Sequence, residues 1–126
     1  MKSENVIQEK SFAFAIRVVR LHKYLREEKR EFVLSKQLLR SGTSIGANVE
    51  ESIGGQTDRD FFTKIAVAYK EARETRYWLR LLQATDYLSP VQAESMLADA
   101  DEICRILAQI QITLQESGGG KSRAKK

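Results

Sequence analysis

The chain has 126 residues, 42% hydrophobic and 30% charged, with seven glycines, one proline, one histidine and one cysteine. That composition fits one globular, helix-leaning domain. It excludes an intramolecular disulfide and a Cys/His zinc site, and no run of 18 apolar residues offers a membrane span. The net charge of +4 comes from the last ten residues, where Lys121, Arg123, Lys125 and Lys126 stand without an acid; taking those four from the 21 Lys and Arg leaves 17, equal to the 17 Asp and Glu. The body of the chain is therefore formally neutral and does not read as a basic nucleic-acid-binding fold. A lone Cys104, and an N-terminal MKSENVIQEK without the apolar core of a signal peptide, predict a reducing, cytoplasmic setting.

The first helix is predicted over about 5–29. At roughly 100° per residue, Phe14, Val18, Leu21 and Leu25 make one stripe, and Phe12, Ile16 and Val19 make a second on nearly the opposite side. Two neighbours in one bundle can share such a broad arc. The favoured reading is that the second stripe is a subunit interface. Basic side chains, among them Arg17, Arg20 and Lys23, crowd the same helix as a solvated face or a phosphate contact.

The second helix is predicted over 35–53. Gly42 and Gly46, set among Ser41, Thr43, Ser44 and Ala47, leave little bulk on the cylinder. Glycine inside a helix costs about 1 kcal/mol against alanine, so two of them predict a close helix approach. Gly42-Thr43-Ser44-Ile45-Gly46 also matches the GxSxG nucleophile elbow. That motif needs a strand before it and a histidine beside it, and the segment has neither. Glu50 and Glu51 are adjacent on a helix, point in different directions, and are better suited to ion pairs or caps than to acid–base work. Gly54-Gly55 is predicted to close this helix through a left-handed residue.

Thr57 with Asp60 reads as a variant capping box for the third helix, over 58–86. Phe61, Ile65, Ala68, Ala72, Thr75, Leu79 and Leu82 follow the 4-3 spacing of a bundle seam. Asp60–Lys64 and Lys70–Glu74 are candidate i,i+4 ion pairs. A neighbouring sector gathers Arg59, Phe62, Tyr69, Arg73, Arg76, Tyr77 and Arg80, a composition suited to a protein interface or to stacking and phosphate contact. Ser89-Pro90-Val91-Gln92 is a full N-terminal signal for the fourth helix, over 90–116. Its seam is Met96, Ala100, Ile103, Leu107, Ile110 and Leu114, and its outer surface is acidic. Attraction between that acidic surface and the basic first helix is expected between subunits. Residues 117–126 read as a flexible basic tail able to add nonspecific affinity for RNA or DNA. Its GGGKS lacks the first glycine, the strand and the helix of a P-loop.

Two of these stretches carry a family likeness. LSKQLLRSGTSIGANVEES and DFFTKIAVAYKEARETRYWLRLL closely resemble the small four-helix-bundle proteins encoded within intervening sequences of bacterial 23S ribosomal RNA genes. The most specific part is Ser44, Ile45, Gly46, Asn48, Val49 and Glu51, with Gly46 where many relatives have proline. The resemblance implies an antiparallel bundle assembled into a ring of five, with no catalytic activity. The accessory variability determinants of diversity-generating retroelements are similar in architecture and basic C-terminus. They imply a reverse transcriptase and RNA or DNA as alternative partners, and a purely protein-binding scaffold is a third possibility. The expectation is thus an all-α, antiparallel (up-down-up-down) four-helix bundle over residues 1–116, forming a ring-shaped homo-oligomer, non-enzymatic, without metal, cofactor, membrane or small-molecule substrate. Its candidate nucleic-acid contacts are Arg17, Arg20, Lys23, Arg73, Arg76, Arg80 and the four tail cations.

Overall fold

The computed structural model describes residues 2–117, and of residues 2–4 the backbone alone; the candidate cations Lys121, Arg123, Lys125 and Lys126 lie outside the described residues. The chain forms α1 (Lys2–Glu27), α2 (Leu34–Ile53), α3 (Asp58–Ala84) and α4 (Pro90–Glu116). No strand occurs among the described residues. Each helix packs on its neighbour in sequence, α4 also packs on α1, and the diagonal pairs make no close approach. That places the helices in the cyclic order α1–α2–α3–α4 around one core, with the α1–α4 side the loosest.

The core is what the spacing predicts. Phe14, Val18 and Leu25 of α1 meet Leu38, Ile45 and Val49 of α2, Ile65, Leu79 and Leu82 of α3, and Ile103 and Leu107 of α4, all fully buried. Burial of such side chains stabilises by about 1.5–3 kcal/mol each. Cys104 sits at the edge of this core, and its burial pushes the thiol pKa up.

Close approach of α1 and α2 depends on Gly42, while Gly46 one turn later leaves room for a methyl group. A Cβ at Gly42 would lie 2.8 Å from both γ carbons of Val18, and one at Gly46 would lie 3.4 Å from the Ser11 carbonyl oxygen. On the other side of α2, the buried Thr75 Oγ1 lies 2.9 Å from Ser41 Oγ and 2.7 Å from the Glu71 carbonyl. These two hydroxyls satisfy one another at the α2–α3 contact.

The helix ends divide into those that local chemistry specifies and those that it does not. Ser89 and Gln92 form the full capping box at α4, with Gln92 N–H to Ser89 Oγ at 3.1 Å and Ser89 N–H to Gln92 Oε1 at 2.9 Å. Thr57 Oγ1 accepts the Asp60 N–H at 3.0 Å. At the start of α2 the N-cap residue Val33 offers no side-chain cap. Its cap is the Glu31 carboxylate, which accepts the N–H groups of Val33, Leu34 and Ser35 at 3.2, 2.9 and 2.6 Å. Burial alone would raise the Glu31 pKa, but the hydrogen bonds from Leu34, Ser35 and Val33 outweigh it and hold it below the usual value.

The predicted left-handed closure at Gly54 is corrected. Gly54 has φ −82°, and its N–H simply returns to the Glu50 carbonyl. Gly55 is needed for space instead, since a Cβ there would lie 3.1 Å from both Asp60 Cβ and the Ser52 carbonyl. Left-handed closures occur instead at Arg30 after α1, φ 55°, where Glu31 N–H bonds Leu25 O, and at Asp86 after α3, φ 70°, where Tyr87 N–H bonds Leu82 O.

Candidate subunit and nucleic-acid interfaces

The second stripe of α1 stays uncovered. The Phe14–Val18–Leu25 face occupies the core, so the 3.6-residue repeat turns Phe12, Ile16 and Val19 outward, where they are 67%, 40% and 38% exposed. The arc is bordered by α2 only at its end, where Val19 lines a groove with Leu39. The stripe presents an aromatic ring and two branched aliphatic side chains over two turns of one helix.

The candidate cations do not converge on one surface. Arg17, Arg20 and Lys23 lie on α1, Arg73, Arg76 and Arg80 on α3, and those two helices are diagonal. Two of the six are bound to carboxylates of α4. Arg17 Nη1 pairs with Asp99 Oδ2 at 2.6 Å, and its Nη2 donates to Ser95 Oγ at 2.7 Å. Arg76 pairs with Asp101. Arg73 donates to the Tyr69 hydroxyl at 3.3 Å, and Arg20, Lys23 and Arg80 have no ion pair among the described residues.

The Arg17–Asp99 pair, with Lys10–Glu102 at 3.3 Å, shows attraction between α1 and α4 of one chain. It operates within the chain, because α4 closes the bundle against α1. The expected i,i+4 pairs on α3 are corrected. Lys64 reaches Glu51 of α2 at 2.8 Å, and Glu74 takes Arg40 of α2 together with the Trp78 indole N–H. A facing helix offers a closer and better-aligned partner than the next turn.

The Ser44–Glu51 segment is packing machinery in this structure. Ile45 and Val49 are fully buried, and Gly46 faces the Ser11 backbone. Ser44 Oγ donates to the Arg40 carbonyl at 2.7 Å from the middle of α2, far from a strand-to-helix elbow. Asn48 Nδ2 donates to the Ser44 carbonyl at 2.8 Å. Glu50 and Glu51 diverge as predicted, the first accepting from Gln8 of α1 at 2.9 Å and the second pairing with Lys64 of α3.

One cluster escaped the sequence reading. The turn after α1 places Phe32, 49% exposed, under two guanidinium groups, Arg26 at 5.5 Å and Arg30 at 5.7 Å from the ring centroid. His22 lies in the same groove, where burial first and the Arg26 charge second hold its pKa below the usual value. The sequence signal was Arg26-x-x-x-Arg30-x-Phe32, which straddles a helix end and so falls outside a helical repeat.

Fold and surfaces together define an all-helical protein of four packed helices whose prominent features are interaction faces. The family described as 23S rRNA-intervening sequence protein matches residues 3–109, and the chain belongs to that family. It is also similar to a crystallographically solved protein of unknown function from the S23 ribosomal protein family of Bacteroides thetaiotaomicron. The two share 50% identity, the match covers 86% of this chain and 96% of that one, and the TM-score is 0.85. No curated protein matches the chain. No helix among the described residues is long and apolar enough to cross a membrane.

Proposed function

We propose that the protein is a non-enzymatic, self-associating antiparallel bundle that forms a ring through the outer face of α1. The observation that carries this reading is the uncovered Phe12–Ile16–Val19 stripe. Antiparallel order is supported by the pairings. Across α1 and α2, Gln8 meets Glu50 and Val18 meets Gly42; across α2 and α3, Glu51 meets Lys64 and Ser41 meets Thr75; across α1 and α4, Lys10 meets Glu102 and Arg17 meets Asp99. Five subunits is the number the family resemblance implies. A non-enzymatic role is supported by the Ser44 hydroxyl, which is engaged by its own helix. Sedimentation of the wild type should give a discrete mass near a multiple of 14.4 kDa, and Ile16→Asp should release monomers. A wild-type monomer at micromolar concentration would refute the reading.

A second reading, nucleic-acid binding by the folded surface, is favoured by the cations that hold no carboxylate: Arg20, Lys23, Arg73 and Arg80. It expects a salt-dependent shift of RNA or DNA that survives removal of residues 117–126 and weakens in the Arg73→Ala/Arg80→Ala variant. Loss of all binding with the tail would leave the folded surface without this role.

A further inference from the structure

The groove at the α1–α2 corner shares Val19 with the end of the α1 stripe but adds a basic rim and an aromatic wall that the stripe lacks. Its floor is aliphatic, from Val19 of α1 and Leu39 of α2, and Phe32 forms one wall. Along its rim stand Lys23, Arg26 and Arg30, none of them in an ion pair among the described residues. Glu27 is the single carboxylate lining it. Five other long cations, Lys10, Arg17, Arg40, Lys64 and Arg76, each meet a carboxylate of a neighbouring helix, while among the described residues Arg20, Arg73 and Arg80 do not. What sets this corner apart is that three unpaired cations line one groove together with exposed apolar side chains, Phe32 and Val19.

We infer that this corner is a docking groove for an acidic amphipathic helix of a partner protein, whose aliphatic side chains enter between Val19, Leu39 and Phe32 while its carboxylates meet Lys23, Arg26 and Arg30. Charge complementarity sets the sign of the partner, and the aliphatic floor sets its amphipathic character. Guanidinium groups match carboxylates in a planar, two-pronged geometry. The arrangement favours a peptide over single-stranded nucleic acid. Stacking needs a free aromatic face, and two guanidinium groups already lie over the Phe32 ring. The inference does not rest on the ring assembly: the groove adjoins the α1 stripe at Val19, but its rim cations and Phe32 lie beyond that stripe.

The chain's one histidine is a reporter of this groove, since His22 lines it. The test uses the full chain and a fluorescein-labelled helical peptide of about 18 residues, with Leu on one face and Glu on the other. Two controls accompany it: the same peptide with Lys for Glu, and a labelled oligo(dT) of similar length. The Glu peptide should bind in anisotropy and move the His22 imidazole proton signals. Arg26→Gln/Arg30→Gln should weaken it by about tenfold or more, the equivalent of about 1.4 kcal/mol, and Phe32→Ala should weaken it without changing the charge. The Lys peptide should not bind. Four results would overturn the inference: no binding of the Glu peptide, equal binding by the double variant, His22 signals moved by oligo(dT) alone, or binding that appears only in Ile16→Asp. The last would assign the groove to a second copy of the chain. Sedimentation of the same samples keeps that outcome separate from failure of the ring reading.

Discussion

Adding one methyl group at Gly42 should destabilise the protein, while adding it one turn later at Gly46 should not. At Gly42 the new Cβ would sit 2.8 Å from both Val18 γ carbons and 3.2 Å from its Cβ. Carbon atoms rest at about 3.5–4.0 Å, so the two γ-carbon contacts are each short by roughly 0.7 Å or more and the Cβ contact by roughly 0.3 Å or more. Val18 is β-branched and fully buried, so it has no other rotamer to retreat into. Overpacking of this kind costs about 1–3 kcal/mol, against which alanine returns about 1 kcal/mol of helix propensity. At Gly46 the nearest atom is the Ser11 carbonyl oxygen at 3.4 Å, an ordinary contact. The propensity term is then left alone, and Gly46→Ala should gain about 0.5–1 kcal/mol. Urea unfolding followed by far-UV circular dichroism, at matched protein concentration because association adds to apparent stability, should rank Gly46→Ala above wild type and wild type above Gly42→Ala. Adding Val18→Ala should suppress the Gly42→Ala defect, with a coupling of about 1–3 kcal/mol. A Gly42→Ala protein as stable as wild type, or a defect that Val18→Ala leaves untouched, would refute the argument from close approach.

Glu31→Ala should cost about 1–3 kcal/mol at neutral pH, because three N–H groups lose their acceptor. Since the Glu31 pKa is lower folded than unfolded, its contribution is complete above the ordinary value of 4.5 and fades as pH falls through the folded value. The urea midpoints of wild type and Glu31→Gln should therefore converge on acidification, and a constant gap would contradict the sign. At the α2–α3 contact, Thr75→Val should cost about 1–3 kcal/mol by stranding the Ser41 hydroxyl. Ser41→Ala/Thr75→Val should recover part of that loss in the same melts, and a fully additive double variant would show that the two hydroxyls do not depend on each other.

What was legible in the sequence was periodic or strictly local. The seams through Ile65 to Leu82 and Met96 to Leu114 repeat with the helix, so the buried face could be read directly. The Ser89 box and the small faces of Gly42 and Gly46 are specified within one or two turns. The partner of a charge on another helix was not legible. Arg17 and Arg76 looked free for phosphate because Asp99 and Asp101 lie on α4, and only the packed bundle brings them together. The same applies to Lys64 and Glu74, which leave their own helix for α2. Glu31 was missed because it caps from before the helix, in a turn where no repeat operates. The corner around Phe32 was missed for the same reason, since its parts come from the end of one helix, a turn and the next helix.

The lone cysteine gives this bundle a clock. Cys104 lies at the edge of the core near Arg73 and Arg76 of α3 with its thiolate disfavoured, so a soluble alkylating reagent meets a reactive sulfur faster when excursions of the bundle uncover it. Its modification rate therefore counts those openings one molecule at a time. A chain with no second thiol to confuse the record can report its own breathing without any engineered label.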